Sequence, residues 1–138
     1  MTGASAGIGA ALARAAASDG HDLVLVARRR EPMEALAAEL KSTGTQITII
    51  SADLGEPGGA AALMKNVEER GLAIDTLINN AGLGDTQRFD REDPESILSM
   101  LQVNVMALTE LTRLVLPQMV ARRRGSVLLL ASTAAFQP

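Results

Sequence analysis

The sequence predicts an α/β fold, a doubly wound parallel sheet in three α/β/α layers. Three observations predict it. Short aliphatic runs without polar alternation, such as Leu23-Val24-Leu25-Val26, suit strands buried on both faces. Amphipathic helical stretches separate these runs, the alternation that gives a parallel sheet with right-handed crossovers. A glycine-rich turn, Thr2-Gly3-Ala4-Ser5-Ala6-Gly7-Ile8-Gly9, opens directly onto the first helical stretch. Free N–H groups and the positive end of a helix dipole then face whatever anion approaches.

The elements follow in order. Ala10 to Ser18 is alanine-rich and reads as a helix ended by Asp19-Gly20. His21 to Ala27 is a buried strand. Pro32 stands where a helix starts, with Met33, Leu36, Ala37 and Leu40 as its apolar stripe, and Gly44 stops it. Ile47 to Ile50 is the next strand. Pro57 opens a helix that turns Leu63, Met64 and Val67 inward and ends at Gly71. Ile74 to Ile78 is a further strand, and Asn79 to Asp90 a polar loop. Asp93-Pro94-Glu95 is a helix start with Asp93 as cap. A long helical region runs on to Arg123, with Leu108, Leu111, Val115 and Met119 on one face and Pro117 inside the pattern. Gly125 breaks it, and Val127 to Leu130 is the last strand.

Composition narrows the function. A chain of 138 residues allows one domain at most. Hydrophobic residues make up 47%, enough for a core, and with two Phe, no Trp and no Tyr that core is aliphatic. A formal net charge of −3 argues against nucleic acid as a partner. There is no cysteine, which removes disulfides, thiol chemistry and cysteine-based metal sites, and no metal site is expected. No signal peptide and no apolar run long enough for a membrane is visible, so a cytoplasmic location is expected.

The chemistry gathers at strand ends. Arg28-Arg29-Arg30 follows the second strand of such a fold, where the ribose of an adenine dinucleotide lies. An acid there accepts from a 2′-hydroxyl, whereas an arginine pairs with a 2′-phosphate through two N–H bonds. Arginines and no acid favour NADP over NAD. A solvated basic loop is the plainer alternative.

The glycine turn, Ala52-Asp53-Leu54, Asn79-Asn80-Ala81-Gly82 and Leu130-Ala131-Ser132 together resemble the short-chain dehydrogenase/reductase family. The glycine spacing is similar to that of its compact reductases, and the resemblance covers essentially the whole chain. It implies a Rossmann-like fold and a set of roles. Gly3, Gly7 and Gly9 frame a pyrophosphate, with the backbone N–H of Ile8. Ser5 and Arg28, with Arg29, hold the 2′-phosphate. Asp53 bonds the adenine amino group beside Leu54. Asn80, Ala81 and Gly82 line the channel near the ribose. Asn104 helps to order a water in a proton relay, and Ser132 hydrogen-bonds the substrate carbonyl or hydroxyl.

Plainer readings stand beside these. Asp53 can cap a turn. Asn79 and Asn80 can satisfy loop backbone. Asn104 can be a helix asparagine tied to a neighbouring strand, and Ser132 an ordinary strand-end serine. Their common placement at the strand ends of one sheet edge favours a ligand site. His21, on the opposite edge, reads as surface, and Arg122-Arg123-Arg124 as a solvated helix end.

The resemblance also implies a Tyr-x-x-x-Lys pair beyond the serine, and this chain has no tyrosine. A hydride reaches a carbonyl usefully only when a proton reaches the oxygen, so no reductase activity is expected of the chain alone. Met1 and Thr2 stand where the resemblance implies a central strand, a loss of roughly 6–8 kcal/mol of burial. The expectation is a partial dinucleotide-binding domain, 1–138, truncated at both ends. Its parent is an NADP-dependent oxidoreductase acting on a small carbonyl or alcohol and assembling as a homo-oligomer, with no membrane partner. The alternative is a dinucleotide-binding protein without turnover, or an inactive fragment.

Overall fold

The computed structural model describes residues 1–136. Its elements are α1 (Gly7–Ser18), β1 (Leu23–Ala27), α2 (Arg30–Glu39), β2 (Ile47–Ser51), α3 (Gly59–Glu69), β3 (Thr76–Asn79), α4 (Pro94–Leu101), α5 (Leu108–Arg122) and β4 (Ser126–Leu129). Short 3-10 turns occupy Leu40–Thr43, Phe89–Arg91 and Thr133–Phe136. A π turn, Gln102–Ala107, joins α4 to α5. The first helix starts three residues earlier than the alanine run suggests, because Gly7 itself enters the helix. The helix expected from Pro57 starts instead at Gly59, after Gly58 in the left-handed region.

All strand pairing is parallel. β1 pairs with β2 in the register Leu25↔Ile49, and β3 with β4 in the register Ile78↔Leu128. Thr2 joins the two pairs. It bridges Val26 in parallel, and its N–H donates to the Ile78 carbonyl at 2.9 Å. The lateral order is therefore β2, β1, Thr2, β3, β4. Of that central position only Thr2 forms a bridge, and Met1 lies on its N-terminal side. A cavity of about 450 Å³ opens there, lined by Met1, Val24, Thr48, Ile74, Thr76 and Ile78 among others.

The alternation of strand side chains divides the core into two layers. On one face Leu23 and Leu25 pack against Ala13 and Ala17 of α1 and Met33 and Leu36 of α2. On the other Val26, Ile50 and Leu77 pack against Leu63, Met64 and Val67 of α3 and Leu111, Val115 and Met119 of α5. Leu128 and Leu129 of β4 remain exposed, as do Leu98, Leu101, Val105 and Met106 along α4 and the π turn. Among the described residues no helix is long and apolar enough to cross a membrane.

Two expectations about local contacts change. Arg122 and Arg124 are not simply solvated: Arg122 donates to the Ile74 carbonyl at 2.8 Å, and Arg124 pairs with Asp75 at 2.9 Å. The helix cap at Asp93 is formed as its sequence requires, its Oδ2 accepting from Ser96 N–H at 3.1 Å.

Candidate dinucleotide site

A cavity of about 490 Å³ lies at the C-terminal edge of the sheet. The glycine turn forms its floor. Gly3 and Gly7 have φ of +65° and +55°, left-handed values that glycine adopts without the Cβ clash other residues meet. These two turns carry the chain from Thr2 into α1 within a few residues. The N-terminus of α1 has no side-chain cap and no acid in its first turn, so its free N–H groups remain available to an anion.

The turn is fastened from behind. Asn80 Nδ2 donates to the carbonyls of Thr2 and Gly3, each at 3.1 Å. Thr2 Oγ1 accepts from the N–H groups of Asn80 and Ala81, each at 3.0 Å. Thr2 is 2% exposed, and this hydroxyl is the acceptor that those two amides would otherwise lack. The packing explains the glycines individually. A Cβ at Gly3 would stand 2.6 Å from Asn80 Nδ2, and one at Gly9 would run into the Gly3 carbonyl. A Cβ at Gly7 would meet no atom within 4 Å, so the space in front of it belongs to the cavity.

Ten of the residues singled out in the sequence line this cavity: Gly3, Ser5, Gly7, Ile8, Arg28, Asp53, Leu54, Asn80, Ala81 and Gly82. Four do not. Gly9 is buried behind the turn, where it permits the close approach of α1 to Asn80. Arg29 is exposed at the N-cap of α2. Asn104 is spent on the loop after β3, its Oδ1 accepting from Leu83 N–H at 2.9 Å and its Nδ2 donating to the Leu83 carbonyl at 2.7 Å. Ser132 is exposed beyond β4, where its Oγ accepts from Ala134 N–H at 3.1 Å. Asp53 also closes a local turn, Oδ1 accepting from Gly55 N–H at 2.8 Å. Leu83, at the start of the loop 83–89 expected to form one side of the pocket, also lines it, and Ser99 and Val103 join the lining without having been singled out.

The cavity is lined by one arginine, Arg28, and two acids, Asp53 and Glu56. Arg28 has no carboxylate partner among the described residues. An exposed guanidinium without a partner, beside the serine of the glycine turn, suits a second anion. The uncapped helix terminus and Arg28 are thus two places in one cavity that suit an anion.

A parallel α/β sheet with a glycine turn, an unpaired arginine and an asparagine clasp at its C-terminal edge defines a dinucleotide-binding class of protein. Within that class, a family model described as short chain dehydrogenase matches residues 1–138, and the chain belongs to this family. Among curated relatives, oxidoreductase UcpA of Escherichia coli is 35% identical over 133 residues, 96% of this chain and 50% of UcpA. The chain spans about half the length of the curated relatives it matches. Among solved structures, a bulky-bulky ketone specific alcohol dehydrogenase from Comamonas testosteroni superposes with a TM-score of 0.92 at 36% identity, over 100% of this chain and 55% of that one. A short-chain dehydrogenase from Sphingobium yanoikuyae in complex with NADPH gives 0.92 at 39% identity, over 100% and 54% respectively.

Proposed function

We propose that the chain is the dinucleotide-binding part of an NADP-dependent oxidoreductase, which moves a hydride between the nicotinamide and a carbonyl/alcohol pair. One observation carries the reading: the uncapped α1 terminus, the unpaired Arg28 and the Asn80–Gly82 wall share one cavity. The NADPH bound in the Sphingobium yanoikuyae relative supports the choice of cofactor.

NADP, when bound, supplies the hydride; the chain supplies position and charge. Gly3 and Gly7, with the N–H of Ile8, receive the pyrophosphate. Arg28 and Ser5 take the 2′-phosphate, Arg28 through its planar pair of N–H donors. Asp53 and Leu54 border the adenine, and Ala81 and Gly82 the ribose. Asn104 holds the backbone of Leu83, which lines the cavity, and Ser132 offers a hydroxyl to a substrate oxygen. Among the 138 residues there is no tyrosine, so no phenol of this chain can hand on a proton. The alternative is a dinucleotide-binding protein without turnover, which the lack of a Tyr-x-x-x-Lys pair in a longer protein carrying this chain would support. The exposed apolar strip of α4 and the π turn supports a homo-oligomeric assembly, and a cytoplasmic location agrees with this chemistry.

Titration of the chain with NADPH and NADH tests the cofactor. Arg28→Asp should weaken NADPH by about ten- to a hundredfold, the range of one charge-assisted contact, and spare NADH. An unchanged preference removes Arg28 from the site. Consumption of NADPH with a panel of ketones by a longer protein that carries this chain then separates the readings: turnover excludes the non-catalytic one, and NADPH binding without turnover excludes the catalytic one.

A further inference from the structure

The π turn Gln102–Ala107 is the least regular part of the long helical arm, and it is tied on both sides to the segment leaving β3. Asn104, inside the turn, grips both backbone groups of Leu83. On the far side stands Asn79, the last residue of β3 and 3% exposed. Its Nδ2 donates to the Leu108 carbonyl at 3.3 Å and to Thr112 Oγ1 at 3.1 Å, while the Thr112 hydroxyl donates to that same carbonyl at 2.7 Å. Leu108 is the first residue of α5, directly after the π turn.

This arrangement has a geometric purpose. A π turn holds a residue more than an α turn and is rare without a reason. Relaxed to plain α-helix, it would rotate α4 relative to α5 by about 100°, the angle of one residue. Asn104 would leave Leu83. The Leu108 carbonyl is where the register of α5 is set, and two side-chain donors converge on it. A hydroxyl that bonds back one turn also bends a helix locally.

We propose that Asn79 and Thr112 are positioning residues. Their joint hold on the Leu108 carbonyl keeps the π turn in the register that presents Asn104 to Leu83. It thereby fixes the Gly82, Leu83 and Val103 wall of the cavity. The geometry stands on this chain alone; only the consequence for ligand binding rests on the NADP reading.

The test is amide hydrogen exchange of the 138-residue chain, comparing Leu83 with Leu25, a fully buried residue of strand β1. In Thr112→Val, which keeps the shape and removes the hydroxyl, Leu83 should exchange roughly tenfold faster, the factor carried by one net hydrogen bond. Leu25 should change less, and Thr112→Ser should restore Leu83. A Leu83 rate that is unchanged, or that rises only in step with Leu25, overturns the proposal. If Thr112→Val does not fold, Thr112→Ala, a better helix former, gives the same comparison. NADPH titration of the same variants reads the consequence: weaker binding in valine, recovered in serine. A selective Leu83 response in a chain that binds no NADPH upholds the positioning role and sinks the dinucleotide reading instead.

Discussion

Thr2→Val alters the shape of the central residue very little and removes its hydroxyl. In the native chain that oxygen accepts from Asn80 N–H and Ala81 N–H, each at 3.0 Å, in a site 2% exposed. Its own bond to the Ile78 carbonyl, at 3.5 Å, is too long to count for much. Valine leaves two backbone donors without an acceptor. An orphaned buried donor costs about 1–3 kcal/mol. Because Asn80 and Ala81 are only half-buried, the lower part of that range applies, and about 2–4 kcal/mol is expected for the pair. Thr2→Ser keeps the acceptor and loses one methyl, a loss of about 1 kcal/mol. Urea unfolding followed by far-UV circular dichroism measures both. With slopes of about 1–3 kcal/mol/M, valine should lower the midpoint by roughly 1–2 M and serine by well under 1 M. A valine variant as stable as the parent, or a serine variant less stable than the valine one, would show that the hydroxyl is not the clasp described above.

The other expectations concern separate parts of the molecule. Gly9→Ala should destabilise the chain by about 1–3 kcal/mol, since its Cβ would run into the Gly3 backbone carbonyl and Asn80 Nδ2. Gly7→Ala, with open space around its Cβ but φ of +55°, should cost only about 1–2 kcal/mol while abolishing NADPH binding, a contrast that denaturation and ligand titration reveal together. Asp93→Ala should remove the α4 cap for about 1 kcal/mol, read as a lower melting temperature with NADPH affinity unchanged.

The sequence made the strands and the glycine turn legible because their signals are local. Leu23-Val24-Leu25-Val26 can only be buried on both faces, and Gly3 and Gly7 stand where the chain must take left-handed turns. The cap at Asp93 is equally local. What stayed hidden depends on distant partners. Nothing near Thr2 announces that its hydroxyl meets residues 80 and 81 across the sheet. The π turn escaped because one extra residue hardly disturbs an apolar stripe: Val103 and Ala107 within it and Leu111 beyond it are buried at helical spacing. Arg122 looked like a free charge until α5 delivered it to the Ile74 carbonyl. Asp53 was legible in both of its capacities, lining the cavity and closing a turn through Gly55, because the two do not exclude each other.

The clasp behind the glycine turn has a thermodynamic consequence. Thr2 and Asn80 fix the loop through its rear carbonyls and amides, leaving the donors at the front unoccupied. The conformational entropy of this loop is surrendered when the chain folds, not when a ligand arrives. On the proposed dinucleotide reading, an incoming phosphate would find donors already aimed, and loop ordering would add little to the cost of binding. Binding at this end of the cavity should be fast, strongly salt-dependent and nearly free of loop rearrangement.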